Sequence, residues 1–236
     1  MDGIVDAVHN TAYLWTVSTE GTMRDAGRAG RSTYRHGDLR RALLEVGVEL
    51  ARSGGPDAVV LREATRRAGV VPNAAYRHFA DRDALLGAVC AAAQSELAMA
   101  IEAELARLPA GRDSAEAARA RLRAVGTGYV RFAQAEPGLF RTAFSVPPHL
   151  LDAANPNRAG GSGLTPFQLL AAALDGMVAA GVVPPERRPG SEFLAWSAVH
   201  GLAMLLIDGP LRSLDHAVRE TVVQRLLDMV ELGLEG

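Results

Sequence analysis

The stretch Val60–Leu86, VLREATRRAGVVPNAAYRHFADRDALL, decides the fold of the N-terminal part of the chain. Its apolar spacing predicts a short helix over 61–68, which stops at Gly69 because glycine readily adopts the positive φ of a tight turn. Pro72 favours the first position of a second helix, over 72–79. Two short helices joined by a tight turn are typical of a helix-turn-helix, whose second helix enters the major groove of DNA.

The side chains near the start of the second helix are the candidates for reading bases. Asn73 matches the hydrogen-bonding edge of adenine, and Arg77 matches guanine or a phosphate. The arginines of the preceding helix suit phosphates. Each residue alone also fits a plain structural role, a solvated helix face for the arginines or core packing for Tyr76 and Phe79. Taken together they predict DNA-binding residues: Arg62, Arg66, Arg67, Val71, Pro72, Asn73, Ala74, Tyr76, Arg77 and His78.

The charge distribution also points to a polyanion at the front of the chain. The net charge is only -2, and all 25 basic residues are arginine. Residues 24–82 contain 12 arginines against 7 acidic residues, whereas residues 83–236 contain 13 against 17. We expect only the front to meet DNA. The arginines at 24, 28, 31 and 35 form a basic arm that is either a solvated tail or a DNA contact.

Apolar spacing, caps and breakers predict an all-α fold of about nine helices. We expect three regions: a disordered leader over 1–30, with Met23 as an alternative start, a helix-turn-helix domain over 31–86, and a helical regulatory and dimerisation domain over 87–236. The segment 145–163 is predicted to be the most mobile part of the body. The expected helix starts are Asp38 for the first, Asp81 for the fourth, Asp113 with Glu116 for the fifth, Pro137 for the sixth, Thr165 with Gln168 for the seventh, Ser191 for the eighth and Asp215 for the ninth.

The composition argues against several other classes of protein. The single cysteine, Cys90, permits no internal disulfide, and the six histidines lack the spacing of metal ligands. No nucleophile elbow or phosphate loop is present, so we expect no enzyme, no catalytic residue, no metal and no cofactor. We also expect no membrane partner and a cytoplasmic location, because the first residues lack the pattern of a signal peptide.

The segment from His36 to Leu86 resembles the N-terminal domain of the tetracycline-repressor (TetR) family of bacterial regulators. The resemblance implies that residues 72–79 are the recognition helix and that Arg82 also grips a phosphate. The sequence departs from the family pattern at Val71, where a serine or threonine usually caps the recognition helix. The family further implies a repressor that binds a double-stranded DNA operator as a homodimer through its last two helices.

A weaker resemblance lies in Ala195–Leu211, AWSAVHGLAMLLIDGPL, which looks like a Trp-His-Gly subtype of that family's C-terminal domain. The family carries a pocket for a small-molecule effector in this domain. His200 is the best polar candidate, although a lone histidine or a row of phenylalanines is more often core. The predicted ligand-binding residues are Tyr129, Phe132, Phe140, Phe144, Phe167, Gln168, Met177, Phe193, Trp196 and His200.

These expectations combine into a two-state mechanism. The effector prefers a conformation in which the fourth helix swings and changes the spacing of the two recognition helices. The alternative from another class is a helical protein-interaction or ligand-binding module that keeps the helix-turn-helix only as structure.

Overall fold

The computed structural model of the protein describes residues 36–109, 114–146 and 155–235. Within these ranges the chain forms nine α-helices and no strand, which confirms the predicted all-α fold. The predicted leader over 1–30, the basic arm and residues 147–154 of the segment expected to be mobile lie outside the described residues. The helices are α1 (His36–Gly54), α2 (Leu61–Arg67), α3 (Pro72–Ala75), α4 (Arg82–Leu105), α5 (Ala115–Ala135), α6 (Pro137–Ala143), α7 (Pro166–Ala179), α8 (Ser191–Ile207) and α9 (His216–Glu235).

Helix α4 lies at the centre of the fold, where α1, α5, α6 and α7 all pack against it. Its buried residues include Val89, Leu97 and Ile101, which are fully enclosed. By length and composition α4 could cross a membrane, but 56% of its most apolar window is buried within the fold. Burial in the core therefore accounts for its apolar composition.

Helices α1, α2 and α3 pack against one another and form an N-terminal unit, in which Phe79 and Ala75 are buried. The guanidinium of Arg40 lies 5.0 Å from the centre of the Phe79 ring. Gly69 adopts a φ of 67° in the turn between α2 and α3, as predicted. Helix α3 is shorter than the predicted 72–79, since regular α-helix ends at Ala75. The amides of His78 and Phe79 both donate to the Ala75 carbonyl, which tightens the remaining residues into turns.

The capping predictions are partly confirmed. The Asp81 carboxylate accepts from the Ala84 amide at 2.8 Å, and Thr165 with Gln168 forms the reciprocal capping box of α7. Two predicted starts are wrong. Helix α1 begins at His36, so Asp38 lies in its first turn, and the hydroxyl of Ser114 caps α5 in place of Asp113 because it accepts from the Ala117 amide at 3.2 Å.

Helix α6 joins the N-terminal unit to the rest of the fold. A Cβ placed on Gly138 would lie 2.4 Å from the carbonyl oxygens of both Ala51 and Arg52, near the end of α1. Only glycine permits that approach. The Arg52 side chain also donates to Glu136 at 3.0 Å and to Glu96 at 2.7 Å, so one arginine links α1 to α4 and to the start of α6.

Candidate DNA-binding surface and ligand cavity

The predicted reading residues share one exposed surface around α3. Asn73, Tyr76 and Arg77 are exposed, and Tyr76 has 56% of its surface accessible. Val71 and Pro72 are exposed beside them, while Ala74 and His78 are half-buried. Tyr76 therefore does not belong to the core, whereas Phe79 does. Val71 precedes α3 with extended backbone and offers no capping hydrogen bond, as its apolar side chain predicts.

The arginines of α2 differ in their surroundings. Glu63 accepts two hydrogen bonds from Arg66 and one from Arg67, each at 2.8 Å. The Arg66 hydrogen bonds, followed by the Arg67 one, lower the pKa of Glu63 to about 2. Arg62 is exposed on the same helix. Two of the three predicted phosphate contacts are thus already held by a carboxylate with which phosphate must compete.

Arg82 makes contacts inside the protein. Its Nε donates to the Val59 carbonyl at 3.0 Å and its Nη2 to the Pro56 carbonyl at 2.8 Å. These bonds attach the start of α4 to the short 3-10 helix Pro56–Ala58 after α1. The Arg82 side chain is 42% exposed, so it lies at the surface while it fixes the start of α4 to the Pro56–Ala58 segment.

A largely apolar cavity of about 480 Å³ lies in the C-terminal part of the chain. Side chains from α4, α5, α7, α8 and α9 line it. Five of the ten predicted ligand-binding residues are on its wall: Tyr129, Phe144, Phe167, Trp196 and His200. Its size falls within the range of about 300–1,000 Å³ that is typical of small-molecule sites.

A chain of hydrogen bonds runs along the cavity wall. The indole Nε1 of Trp196 donates to the Tyr129 hydroxyl at 3.0 Å, and that hydroxyl lies 2.8 Å from Nδ1 of His200. Burial raises the pKa of Tyr129 and lowers the pKa of His200. Both side chains are therefore uncharged at neutral pH, and the chain offers polarity without charge.

The other five predicted ligand residues do not line the cavity. Phe132, Phe140 and Met177 are buried in the surrounding core. The side-chain oxygen Oε1 of Gln168 instead accepts from the backbone amide of Thr165 at the start of α7. Phe193 is 44% exposed and contacts the cavity only through the ring of Phe167, 5.8 Å away. Helical spacing alone does not distinguish a wall residue from the layer behind it.

Several wall residues are not among those predicted from the sequence. Gln94 is one, and its amide Nε2 donates to the Ala143 carbonyl at the end of α6, 2.7 Å away. A glutamine among the alanines of α4 is a signal that could have found it. Arg123, Arg158 and Thr165 also line the cavity. Arg123 is ion-paired with Asp228 and Glu231 of α9, so it fixes α5 against the last helix.

Helices α8 and α9 carry exposed apolar side chains. Leu205, Met229 and Leu232 have 45%, 61% and 68% of their surface accessible. Gly201 and Gly233 are exposed near them in the sequence of the same helices. On the same two helices, Leu202 and Val223 are buried inside the protomer. In the described ranges no cluster of three or more metal-ligating residues occurs.

Two family models match the chain. The model for bacterial regulatory proteins of the tetR family matches residues 43–89, which span the end of α1, α2, α3 and the start of α4. The model for the tetracyclin repressor-like C-terminal domain matches residues 122–230, which contain most of the cavity wall. No curated protein sequence is similar enough to count as a relative.

Solved structures share the fold over most of their length. A Rhodococcus sp. RHA1 protein with unknown function is 28% identical with a TM-score of 0.66, over 87% of this chain and all of that one. A TetR family transcription regulator from Marinobacter aquaeolei VT8 is 21% identical with a TM-score of 0.56, over 83% of this chain and 94% of that one. A TetR-family regulator from Pectobacterium atrosepticum is 18% identical with a TM-score of 0.52, over 87% and 98%.

Proposed function

The chain belongs to the TetR family of bacterial transcription regulators, and we propose that it represses transcription by binding a palindromic operator as a homodimer. Like the family's members it is a regulator and no enzyme. Residues 31–86 bind DNA in the cytoplasm, and residues 87–236 dimerise and bind a small, mostly apolar effector that releases the operator. The Trp-His-Gly subtype of the C-terminal domain remains a prediction.

The exposure of Asn73, Tyr76 and Arg77 around α3 carries the DNA-binding proposal. These three side chains offer an amide, a hydroxyl and a guanidinium, which match base edges and phosphates. The arginines of α2 lie next to them in the same helix-turn-helix. A hydrophobic or acidic surface at this position would have argued for a protein partner instead.

Substitution of Arg77 tests this assignment. We expect Arg77→Ala to weaken operator binding by about 10- to 100-fold, because a good bidentate contact to guanine is lost. The operator is first located by footprinting on DNA flanking the gene, and affinities are then measured by fluorescence anisotropy. Arg187→Ala, which removes the same charge from an exposed site before α8, is the control and should leave the affinity unchanged. Equal losses in the two variants contradict the assignment.

Salt dependence separates this proposal from the protein-interaction alternative. Phosphate contacts release counterions, so the affinity for DNA should fall steeply as salt rises. Arg66→Ala should weaken binding to operator and unrelated DNA alike, since a phosphate contact carries no sequence information. A protein that keeps its helix-turn-helix only as structure shows neither effect.

We place the dimer interface on α8 and α9, where apolar side chains are left exposed. A palindromic operator requires two recognition helices at a fixed separation, so monomers should bind it poorly. Met229→Glu puts a charge on this face and should yield monomers in sedimentation velocity with a matching loss of operator affinity. Met99→Glu on α4, 48% exposed, is the matched control and should remain dimeric.

The cavity supports release by an effector, because α4 contributes both to its wall and to the DNA-binding unit. Gln94 and Ile101 of α4 face the cavity, and Arg82 at the start of the same helix holds the Pro56–Ala58 segment. An effector that prefers a shifted α4 therefore changes the spacing of the recognition helices. A ligand that demonstrably occupies the cavity should lower operator affinity, and unchanged affinity at saturation contradicts the mechanism.

A further inference from the structure

The hydrogen-bond chain on the cavity wall fixes the tautomer of His200. An indole N–H can only donate, so the Tyr129 oxygen accepts from Trp196. Tyr129 is 4% exposed, and its own hydrogen needs an acceptor. Nδ1 of His200 at 2.8 Å is that acceptor. The reverse arrangement would leave the buried hydroxyl hydrogen unsatisfied, at a cost of about 1–3 kcal/mol.

The remaining ring nitrogen of His200 is therefore an N–H donor. It forms no hydrogen bond with the part of the chain that the structure describes, and it is not sealed off by protein atoms. Because half-buried His200 lines the cavity, this Nε2–H is available to a ligand there. The rings of Phe140 and Phe144 flank the imidazole, with centroids 5.5 and 5.0 Å from it, and hold it in place.

Gln94 presents the complementary group. A backbone carbonyl can only accept, so the contact with the Ala143 carbonyl must be made by the amide nitrogen of Gln94. The side-chain oxygen Oε1 is then the free end of the amide. It makes no hydrogen bond within the described residues, although Gln94 is only 7% exposed and lines the cavity. The wall thus holds a neutral donor at His200 and a neutral acceptor at Gln94.

The structure assigns a ligand class to this cavity: an uncharged, mostly apolar molecule with a carbonyl or ether oxygen that accepts from Nε2–H of His200 and a hydroxyl or amide N–H that donates to Oε1 of Gln94. The assignment rests on the proposed role of the cavity as the effector site. Acidic Glu231 on the wall is already paired with Arg123 and Arg119, which leaves it little attraction for a cationic ligand. An anionic ligand drawn to Arg158 is the competing outcome.

Four probes on one diphenyl skeleton test the assignment by isothermal titration calorimetry. Diphenylmethane offers only apolar surface, benzophenone adds the acceptor, 4-hydroxybenzophenone adds the donor, and 4-benzoylbenzoate adds a negative charge. We expect affinity to rise from the first to the third by about 3- to 10-fold per group, the typical net effect of a hydrogen bond. Tightest binding by the benzoate overturns the uncharged assignment. Equal binding of the uncharged probes, or no binding at their solubility limits, overturns the proposal.

Two substitutions assign the groups to residues. His200→Phe keeps a ring but removes the donor, so the advantage of benzophenone over diphenylmethane should disappear while diphenylmethane still binds. Gln94→Met removes Oε1 at similar volume and should abolish only the advantage of the added hydroxyl. His216→Phe, at the exposed start of α9, is the control and should retain both. Advantages that persist in the first two variants contradict the assignment.

The tautomer of His200 can be measured on the wild-type protein, without a ligand and without any substitution. Nitrogen-15 NMR of the wild-type protein should show His200 protonated at Nε2 and bare at Nδ1. A proton at Nδ1 overturns the argument. Operator affinity measured with each probe at saturation separates the two proposals. If the probes bind in the expected order and the operator is not released, effector release fails while the ligand class stands.

Discussion

The exposed surface around α3 and the cavity place their polar groups in opposite ways. Around α3, Asn73 and Arg77 extend into solvent. In the cavity, Trp196, Tyr129 and His200 are joined in one hydrogen-bonded chain and flanked by aromatic rings. A surface that meets a polyanion gains affinity from mobile charges and must order them on binding. A cavity that selects a small molecule gains it from groups that are already in place.

The two regions meet at α6. Phe144 of the segment that ends α6 lines the cavity, and Phe140 packs behind it, while Gly138 at the other end touches the backbone of α1. A shift at the cavity can therefore reach the DNA-binding unit through a helix of seven residues, Pro137–Ala143. Substitutions in each region and at the contact between them test whether the regions are as different, and as connected, as this geometry implies.

The largest effect is expected from Phe140→Ala. Phe140 is fully buried, and its ring lies 5.3 Å from that of Tyr129 and 5.5 Å from that of His200. Removing the ring should cost about 3–5 kcal/mol of unfolding free energy. Urea unfolding measures the loss. The exposed side chains around α3 do not share this packing. At urea concentrations well below the unfolding midpoint, Phe140→Ala should therefore change operator affinity by a smaller factor than it changes the release of operator by an effector.

The matched control for this prediction is Phe193→Ala. Phe193 is 44% exposed on α8 and does not line the cavity, so its removal should cost less than about 1 kcal/mol. Similar losses of unfolding free energy for the two substitutions would mean that Phe140 is packed no more tightly than Phe193. The contrast between a pre-organised cavity and an exposed surface would then fail.

The second largest effect is expected at the contact between α6 and α1. Gly138→Ala puts a methyl group 2.4 Å from two carbonyl oxygens of α1, and backbone cannot move aside as a flexible side chain can. We expect a loss of about 1–3 kcal/mol in stability, together with weaker operator binding because α1 is displaced. Thermal unfolding and anisotropy report the two quantities.

Gly176→Ala on α7 is the control for Gly138→Ala, since a Cβ at Gly176 meets nothing within 4 Å. An alanine in a helix interior should stabilise the protein by about 0.5–1 kcal/mol. If Gly138→Ala is as harmless as Gly176→Ala, the close approach of α6 to α1 does not exist in solution.

Local signals predicted much of the fold. Pro72, Asp81 and the pair Thr165 and Gln168 each act within one helical turn, so their effect could be deduced from the residues themselves. The start of α5 was misassigned by one residue because Asp113 and Ser114 are both good capping residues. Nothing local distinguishes two neighbouring caps.

The cavity could be predicted only in part, because its wall depends on which side of five helices faces inward. Phe140 lies in α6 and Phe144, four residues later, ends it. Phe144 nevertheless lines the cavity, whereas Phe140 packs behind it. Gln94 reaches the wall from α4, and its role depends on the Ala143 carbonyl, 49 residues away. Such contacts are set by helix packing, which no short sequence pattern encodes.

A smaller effect, in the stabilising direction, is expected from Val71→Ser. Val71 is 68% exposed and precedes α3 with φ −74° and ψ 143°, the extended conformation that a capping residue adopts. The Ala74 amide already donates to the Val71 carbonyl at 3.0 Å, so a serine hydroxyl at position 71 would accept from the Asn73 amide and should stabilise the recognition helix by about 0.5–1 kcal/mol. Hydrogen exchange of the α3 amides measures this locally. Val71→Ala supplies no cap and should give no protection, so equal exchange in the two variants contradicts the prediction.

The smallest effect is expected from Glu63→Gln, which keeps the shape of the side chain but releases Arg66 and Arg67. Operator and unrelated DNA should both bind about two- to fivefold more tightly, the range expected for exposed ion pairs, with a steeper salt dependence because two guanidinium groups are freed for phosphate. Glu116→Gln, at an exposed position in the first turn of α5, is the control and should change neither. The pairing itself is checked by titration of the wild-type protein.

Because the folded pKa of Glu63 is about 2, below the ordinary value of about 4.3, the stabilising pairing is complete above pH 4.3 and is lost only as the pH falls toward 2. Carbon-13 NMR of the Glu63 carboxyl group follows this directly. A carboxyl that titrates near its ordinary pKa would show that Arg66 and Arg67 are as mobile in solution as Arg77. The whole helix-turn-helix would then present free arginines to DNA, and Glu63→Gln should leave binding unchanged.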